Sequence, residues 1–535
     1  MQLVKNALGR MVPTEVNGKP AIPFPGVGKH RPTGRKACPQ IPTCLDYPED
    51  GNKVVADLRT AIEKAGIRNG TTLSTHHHFR DGDTLPLQLF DLCAEMGLKD
   101  LVWYPSAAFP CHAPITKHLD SGVIHHIEGS LNGPLGDYCT QGKMRGLGVL
   151  RSHGGRAQAI QDGEIHIDIA VVAAPTADQF GNANGVHGDT ACGVLGYAPA
   201  DVTYADRTIV VTDNLVPFPA IPIQLSGTYV DMVVQQDHIG DPKKIVSGTT
   251  QITRSPDRLY IAELTAKFIR DAGIMRDGFS FQAGAGGVSL AFAIYLADMM
   301  KQNGVKAGWL HGGSTRYLVK MLEDGLAPAL VDGQAFDEDA IRSIAVNRGH
   351  ISTSPLVSYN FHAKGNYINL LDVAVLGATE VDTNFNANVV THSDGRLRHG
   401  IGGWQNCMYA RCTILSVPAM RDRMPVIVDE VTTLCAPGEL VDVIVTELGI
   451  AINPRRQDLL DAVKGKGLPV RPIEDIKAEV ERICGKPARQ ARENGDCPAP
   501  SSTQALRGTV PSFRRVVAVV KWVDGTVLDS VYQVS

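Results

Sequence analysis

One stretch of this chain is written twice. Residues 167–178 read Ile-Asp-Ile-Ala-Val-Val-Ala-Ala-Pro-Thr-Ala-Asp and continue to Asn182-Ala183-Asn184. Residues 371–382 read Leu-Asp-Val-Ala-Val-Leu-Gly-Ala-Thr-Glu-Val-Asp and continue to Asn386-Ala387-Asn388. Asp168 and Asp372 lie 204 positions apart, and so do Asn184 and Asn388, so the match needs no gap. A second pair supports it: Ala65-Gly66-Ile67 recurs as Ala272-Gly273-Ile274. Each follows a helix-like segment, residues 54–64 and 259–271, that stops at a glycine able to take the left-handed conformation. Val210-Val211-Thr212-Asp213 and Ile444-Val445-Thr446-Glu447 give a third, looser echo. The runs 167–174 and 371–378 are apolar without alternation, as parallel strands covered on both faces are. Strands alternating with helices predict an α/β fold with parallel sheets. The expectation is two duplicated open parallel-sheet domains, residues 51–250 and 251–483, with a ligand cleft between them.

The flanks differ. Residues 1–50 are rich in proline (Pro20, Pro23, Pro25, Pro32, Pro39, Pro42, Pro48) and read as an irregular arm wrapping a neighbouring domain or subunit. Residues 484–512 are rich in Pro, Ser, Gly and Arg and read as a linker. Beyond them Asp524-Gly525 joins two apolar runs, the strongest short signal for a β-hairpin, within a unit 484–535.

Charge narrows the function. With 52 basic and 56 acidic residues, a net charge of −4 and no basic block, the chain is a poor candidate for nucleic acid, and none is expected as a partner. The first ten residues hold no apolar stretch of signal-peptide length, and no run approaches a membrane span. Eleven scattered cysteines, the closest pairs being Cys38/Cys44 and Cys407/Cys412, predict reduced thiols in the cytoplasm and no metal site. A phosphate loop of the Gly-x-x-x-x-Gly-Lys-Ser/Thr type, a Gly-x-Ser-x-Gly elbow and a His-Glu-x-x-His motif are all missing. That argues against ATP, a serine nucleophile or zinc.

Three loops carry candidate chemistry. Thr75-His76-His77-His78-Phe79-Arg80 follows the first strand of the first unit. Side chains alternate along an extended strand end, so one metal held by all three histidines is unlikely on geometric grounds. The loop is either a packed polar turn or an anion-binding loop with His76 or His78 and Arg80 facing the cleft. Gln282-Ala283-Gly284-Ala285-Gly286-Gly287-Val288 is its counterpart in the second unit, a glycine-rich helix start whose amides can approach an anion. Arg398-His399-Gly400-Ile401-Gly402-Gly403 forms the third, where glycine amides can meet a developing oxyanion. Arg398 is a ligand or a solvated surface charge.

Taken together these residues resemble the coenzyme A transferase superfamily and, within it, the citrate lyase alpha-subunit branch. The resemblance covers nearly the whole chain. It rests on the paired Asp-x-Ala strands ending in Asn-x-Asn, on Gly400-Ile401-Gly402-Gly403 and on Val445-Thr446-Glu447-Leu448-Gly449. The opening Asn17-Gly18-Lys19 to Pro23-Phe24 and the triple-histidine loop are similar to that branch. It implies an isomerase-like two-domain fold with the active site between the domains. It also implies a transferase that replaces the acetyl group on a carrier protein with citrate, giving citryl carrier and acetate. The carrier (gamma) subunit bears a phosphoribosyl-dephospho-coenzyme A arm, a lyase (beta) subunit cleaves citryl carrier, and the chain works as an oligomer with no tightly bound cofactor.

Where many coenzyme A transferases carry a nucleophilic glutamate, this chain has Trp309-Leu310-His311-Gly312-Gly313-Ser314. Direct attack by the incoming acid, through a mixed anhydride without a glutamyl intermediate, is what the resemblance then implies. Citrate carries roughly three negative charges, so several cations are expected around it, from Arg80, Arg348, His350, Arg396, Arg398 and His399. Gly402 and Gly403, with His399, are assigned to catalysis. Gly284, Ala285, Gly286, Gly287, Val288 and Gly400 are assigned to the cofactor arm, and His76, His78, Arg80, Arg348 and Arg398 to substrate. Competing readings are a coenzyme A transferase for another hydroxy acid such as citramalate, a metabolite-binding regulator, and a scaffold.

Overall fold

The computed structural model describes residues 1–31, 48–246, 250–361, 365–485 and 515–534. The linker expected at 484–512 lies outside them from residue 486 onward, as do Cys38 and Cys44.

Two parallel sheets dominate. The first runs in the order Val54–Val55, Met232–Gln235, Arg207–Thr212, Ile169–Ala173, Thr72–Thr75, Leu101–Pro105, Ile124–Ile127. The second runs Gly449–Ile452, Val443–Thr446, Thr413–Ser416, Val373–Leu376, Ser280–Ala283, Trp309–Ser314, Leu330–Ala335, His350–Ser352. Six strands match in order, Met232–Gln235 to Ile124–Ile127 against Val443–Thr446 to Leu330–Ala335; the edges differ, with Val54–Val55 added to the first and Gly449–Ile452 and His350–Ser352 to the second. Only Gly449–Ile452 runs antiparallel within them. The duplicated strands Ile169–Ala173 and Val373–Leu376 sit in the interior of each sheet and are fully buried, which is why their sequence is apolar without alternation.

The duplicated polar residues build scaffold. Asp168 Oδ2 accepts the Thr72 amide at 2.7 Å, and Asp372 Oδ2 accepts the Ser280 amide at 2.9 Å. Each thereby ties the start of one strand to its neighbour. Asp178 Oδ1 accepts the amides of Phe180 and Asn182, and Asp382 Oδ1 those of Asn384 and Asn386, the same turn twice. The third echo is misaligned by one strand. Val210 lies in Arg207–Thr212, whose counterpart by sheet order is Thr413–Ser416, whereas Ile444 belongs to the next strand out. Arg207–Thr212 and Val443–Thr446 both carry a β-branched apolar run ending in Thr, so composition alone does not assign them to equivalent places. The helix expected over 54–64 is likewise shorter. Val54–Val55 forms an edge strand, and Asp57 accepts the Thr60 amide at 2.7 Å to start the helix Leu58–Lys64.

The arm is more ordered than its prolines suggest, because its polar turns close two short hairpins, Leu3–Lys5 with Met11–Pro13 and Glu15–Val16 with Lys19–Pro20. The C-terminal hairpin, Val516–Lys521 with Val527–Tyr532, adds in parallel to Gly148–Leu150 of the first domain. Arm and hairpin join where the Phe24 amide donates to the Val527 carbonyl at 3.0 Å, the Val527 amide donates to the Ile22 carbonyl at 2.8 Å, and Phe24 meets Trp522 edge-on at 6.0 Å. A buried charge chain holds the hairpin: Arg151 lies between Glu128 (3.3 Å) and Glu164 (2.9 Å), and Lys521 reaches Glu164 at 2.8 Å. One apolar core includes Phe24, Trp103, Leu150, Leu376 and Trp522, so the two domains, arm and hairpin share an interior. The eight cysteines among the described residues are free. No helix among them is long and apolar enough to cross a membrane.

Candidate functional site

A cavity of about 310 Å³ opens at the junction of the domains. His153 and Tyr197 of the first domain face Gly284, Ala285, Gly312, Gly313, Gly402 and Gly403 of the second across it. The glycines are there for backbone reasons. Gly402 has φ +61, a left-handed angle that penalises side chains by about 1 kcal/mol. Gly313 has no room: a Cβ there would stand 1.9 Å from Phe336 Cε2. The amides of Gly402 and Gly403 meet no acceptor among the described residues.

The two domains are clamped at this point. The amide of His153, first residue of the helix His153–Gln161, donates to the Gly402 carbonyl at 2.8 Å. The next amide, Gly154, donates to Asn406 Oδ1 at 3.0 Å, and Asn406 Nδ2 donates to the Tyr359 carbonyl at 3.4 Å. Gly154 is obligatory, because a Cβ would fall 2.3 Å from that carbonyl and 2.4 Å from Asn406 Nδ2.

Aromatic and imidazole rings line the first-domain side. His77 accepts support from Ser106, whose Oγ lies 2.6 Å from its Nδ1, and stacks against Tyr197 at 4.1 Å and His153 at 5.3 Å. The Tyr197 hydroxyl donates to Gln334 Oε1 at 2.9 Å. On the far side His311 bridges Gln282 Oε1 and Ser358 Oγ, both at 3.0 Å. Burial, with Arg156 nearby, lowers His153 to about 3, and burial lowers His311 to about 4. Burial and the neighbouring His153 put His77 well below its ordinary range. His153 and His311 are therefore neutral at physiological pH, and among the described residues the cavity lining carries no Asp, Glu, Lys or Arg.

Gly284, Ala285, Gly402 and Gly403 therefore meet in one cavity, while the other sequence candidates lie elsewhere. His76 is buried 3.1 Å from Asp201, itself gripped by Arg156, and His78 Nε2 bonds the Ala173 carbonyl at 2.6 Å. His77, between them, packs behind the cavity wall against His153 and Tyr197. Gly286 caps and Gly287 begins the helix Gly287–Asn303, where a Cβ at 287 would crowd the Thr253 amide at 3.0 Å. Val288 packs on the second-domain core. Gly400 serves close packing, since a Cβ there would lie 2.4 Å from Ser130 Cβ.

The expected ring of cations is not in the cavity wall. Arg398 is paired with Asp137 at 2.7 Å, His350 with Asp332 at 3.1 Å and Arg396 with Asp394 at 3.8 Å. His399 is exposed with its Nε2 3.2 Å from that of His392, and Arg348 is exposed beside the edge strand His350–Ser352. Arg80 comes nearest. Its guanidinium stacks on the Phe336 ring at 4.9 Å and donates to the Phe336 carbonyl at 3.3 Å, one layer behind the lining. Glu447, in the superfamily-like motif, accepts the Ala419 amide at 2.9 Å and is structural.

Sequence reading missed His153, Tyr197, His311, Phe336 and Tyr359. Ser152-His153-Gly154-Gly155 did offer a signal, a capped helix start with adjacent glycines.

Comparison with known proteins shows the family. The family model for citrate lyase, alpha subunit (CitF), matches residues 51–496. The citrate lyase alpha chain of Klebsiella pneumoniae is 40% identical over 484 residues, 90% of this chain and 91% of that one. A Streptococcus mutans structure named for the citrate lyase alpha subunit, solved in complex with citrate, superposes with a TM-score of 0.90 at 38% identity, covering 99% of this chain and all of that one. A 4-hydroxybutyrate CoA-transferase from Porphyromonas gingivalis shares the fold, with a TM-score of 0.51 at 16% identity over 80% of this chain and 97% of its own. Matched in sequence along nine-tenths of its length, the chain belongs to the citrate lyase alpha-subunit family.

Proposed function

We propose that this chain exchanges the acyl group on a carrier-protein thioester, replacing acetyl with citrate and releasing acetate. The observation that carries this reading, beside the family, is the glycine-walled cavity at the domain junction, where the Gly402 and Gly403 amides meet no acceptor among the described residues. A citrate carboxylate oxygen attacks the acetyl carbonyl carbon, the C–S bond breaks and the carrier leaves as a thiolate. That thiolate then attacks the citryl carbonyl of the mixed anhydride, the C–O bond breaks and acetate departs. One thioester replaces another, so no nucleotide is consumed. Two tetrahedral oxyanions form, and the amides of Gly402 and Gly403, which meet no acceptor among the described residues, receive them. Such donors contribute about 3–4 kcal/mol in a water-poor site. The ring of Phe336 over Gly313 supports the absence of a glutamyl intermediate, since a carboxylate side chain has no space there.

The Gly284–Ala285 rim would receive the phosphoribosyl-dephospho-coenzyme A arm of a gamma subunit, and a beta subunit would cleave the citryl carrier. The experiment is a single turnover with acetyl carrier and citrate labelled with ¹⁸O in its carboxyls. Direct attack delivers one ¹⁸O into the first acetate released. Unlabelled first-turnover acetate would refute direct attack, and no acetate at all would refute the transferase. Citramalate in parallel decides the acid.

A further inference from the structure

We infer that His153 is a catalytic hydrogen-bond donor, presenting Nε2–H to the reacting carbonyl oxygen as the third member of the oxyanion site with Gly402 and Gly403. The inference rests on the transferase reading above.

Position comes first. His153 lines the cavity, and its Nε2 lies 3.8 Å from the point where a Cβ on Gly402 would stand. The imidazole thus borders the same small space as the two glycine amides. Its ring nitrogens have no partner among the described residues, whereas both ring nitrogens of His311, the other imidazole lining the cavity, are held by Gln282 and Ser358.

Orientation is fixed from three sides. Stacking on His77 at 5.3 Å and a tilted contact with Tyr197 at 4.6 Å confine the ring, and the backbone bond from His153 N–H to the Gly402 carbonyl sets the main chain. Ser152 caps the helix through the Gly155 amide at 3.0 Å, so the position of its first residue is not free to drift. Preorganised donors of this kind are effective because they need no reorientation as charge develops.

Charge state suits a donor. The residue is neutral across the physiological range, held so by burial beside Arg156. A neutral imidazole donates one N–H without neutralising the attacking carboxylate or protonating the leaving thiolate, each of which would arrest exchange. His153 keeps its proton throughout: it donates to the oxyanion formed when citrate attacks the acetyl carbon, and again when the thiolate attacks the citryl carbon. No bond to His153 forms or breaks, and no further reactant is required.

The test is steady-state exchange between acetyl carrier and citrate by the full chain, comparing wild type, His153→Ala and His153→Gln. The expected result is a kcat loss of about 100-fold for His153→Ala with KM for both substrates within threefold. His153→Gln, whose amide restores a donor, recovers at least tenfold of that loss. The wild-type kcat shows no inflection between pH 5 and 9, as a residue titrating near 3 requires. Equal kcat in His153→Ala and wild type overturns the assignment. So does a glutamine variant no better than alanine, which would make the ring mere packing, and so does an inflection near pH 6.5 that the alanine variant abolishes. A wild-type chain without exchange activity overturns the transferase reading itself, and this inference falls with it.

Discussion

Asn406 is the place to ask whether the clamp between the domains serves the chemistry or only the fold. Its side chain is buried, takes the Gly154 amide at 3.0 Å and gives to the Tyr359 carbonyl at 3.4 Å. Asn406→Ala leaves a buried N–H with no acceptor, which costs about 1–3 kcal/mol, and weakens a second, long bond worth about 0.5 kcal/mol. A total near 2 kcal/mol leaves the protein folded and lowers its melting temperature by a few degrees. The larger effect falls on rate. Gly154 follows His153, whose amide holds the Gly402 carbonyl, so loosening 154 lets the two walls of a 310 Å³ cavity part. A 1 Å misplacement of positioned groups costs on the order of 100-fold. We expect kcat for acyl exchange to drop 10- to 100-fold with KM nearly unchanged. Asn406→Asp keeps the acceptor but sets a carboxylate oxygen against the Tyr359 carbonyl, so it falls between wild type and Ala. The assay pairs thermal unfolding with thioester exchange. A variant that melts early yet turns over at the wild-type rate would refute the reasoning.

Other substitutions separate the parts. Gly403→Val puts a branched side chain 3.0 Å from the Tyr359 ring and in the path of the donor amides; exchange is expected to vanish while circular dichroism stays native, and retained turnover rejects the oxyanion role. Gly313→Ala forces the Phe336 ring aside, costing about 1–3 kcal/mol by overpacking, and an unchanged melting temperature would show that the ring moves freely. Acid stability tests the charge chain under the hairpin. Burial raises Glu164, but Arg151 and Lys521 outweigh it and hold it at about 2, and His126 with Arg151 likewise holds Glu128 at about 2. Folded values below the unfolded ones mean stability present above pH 4.5 and lost as pH falls toward 2. Glu164→Gln is expected to forfeit up to about 3 kcal/mol at neutral pH and to flatten that acid limb; identical limbs by urea titration would refute it.

The sequence exposed most strongly what depends on backbone geometry. The duplicated strands were legible because full burial dictates composition, and Asp168 and Asp372 because each must cap a neighbouring strand. Gly402 and Gly403 were legible because such glycine density has no helical or strand purpose. Charges were not. Whether Arg398 meets a ligand or an aspartate is decided by Asp137, 261 residues away, and no local pattern records that encounter. The histidine loop shows the same limit on a finer scale. Alternation said that the three rings must part, yet where each went depended on Asp201 capturing His76, Ala173 capturing His78 and the His153 and Tyr197 rings receiving His77.

The hairpin that closes on the first domain bears on how the polypeptide reaches its native state. Lys521 lies 357 residues after the Glu164 it neutralises, and Val519 pairs with Val149 across a comparable span. During synthesis the Gly148–Leu150 edge and the Arg151–Glu164 cluster must therefore wait, uncovered, while the whole second sheet is made. Contacts of such long loop closure are the slowest to form, and an open strand edge is an invitation to mispairing. A ribosome stalled before residue 515 would hold a nascent chain whose first sheet is assembled but unsealed, a natural client for chaperones.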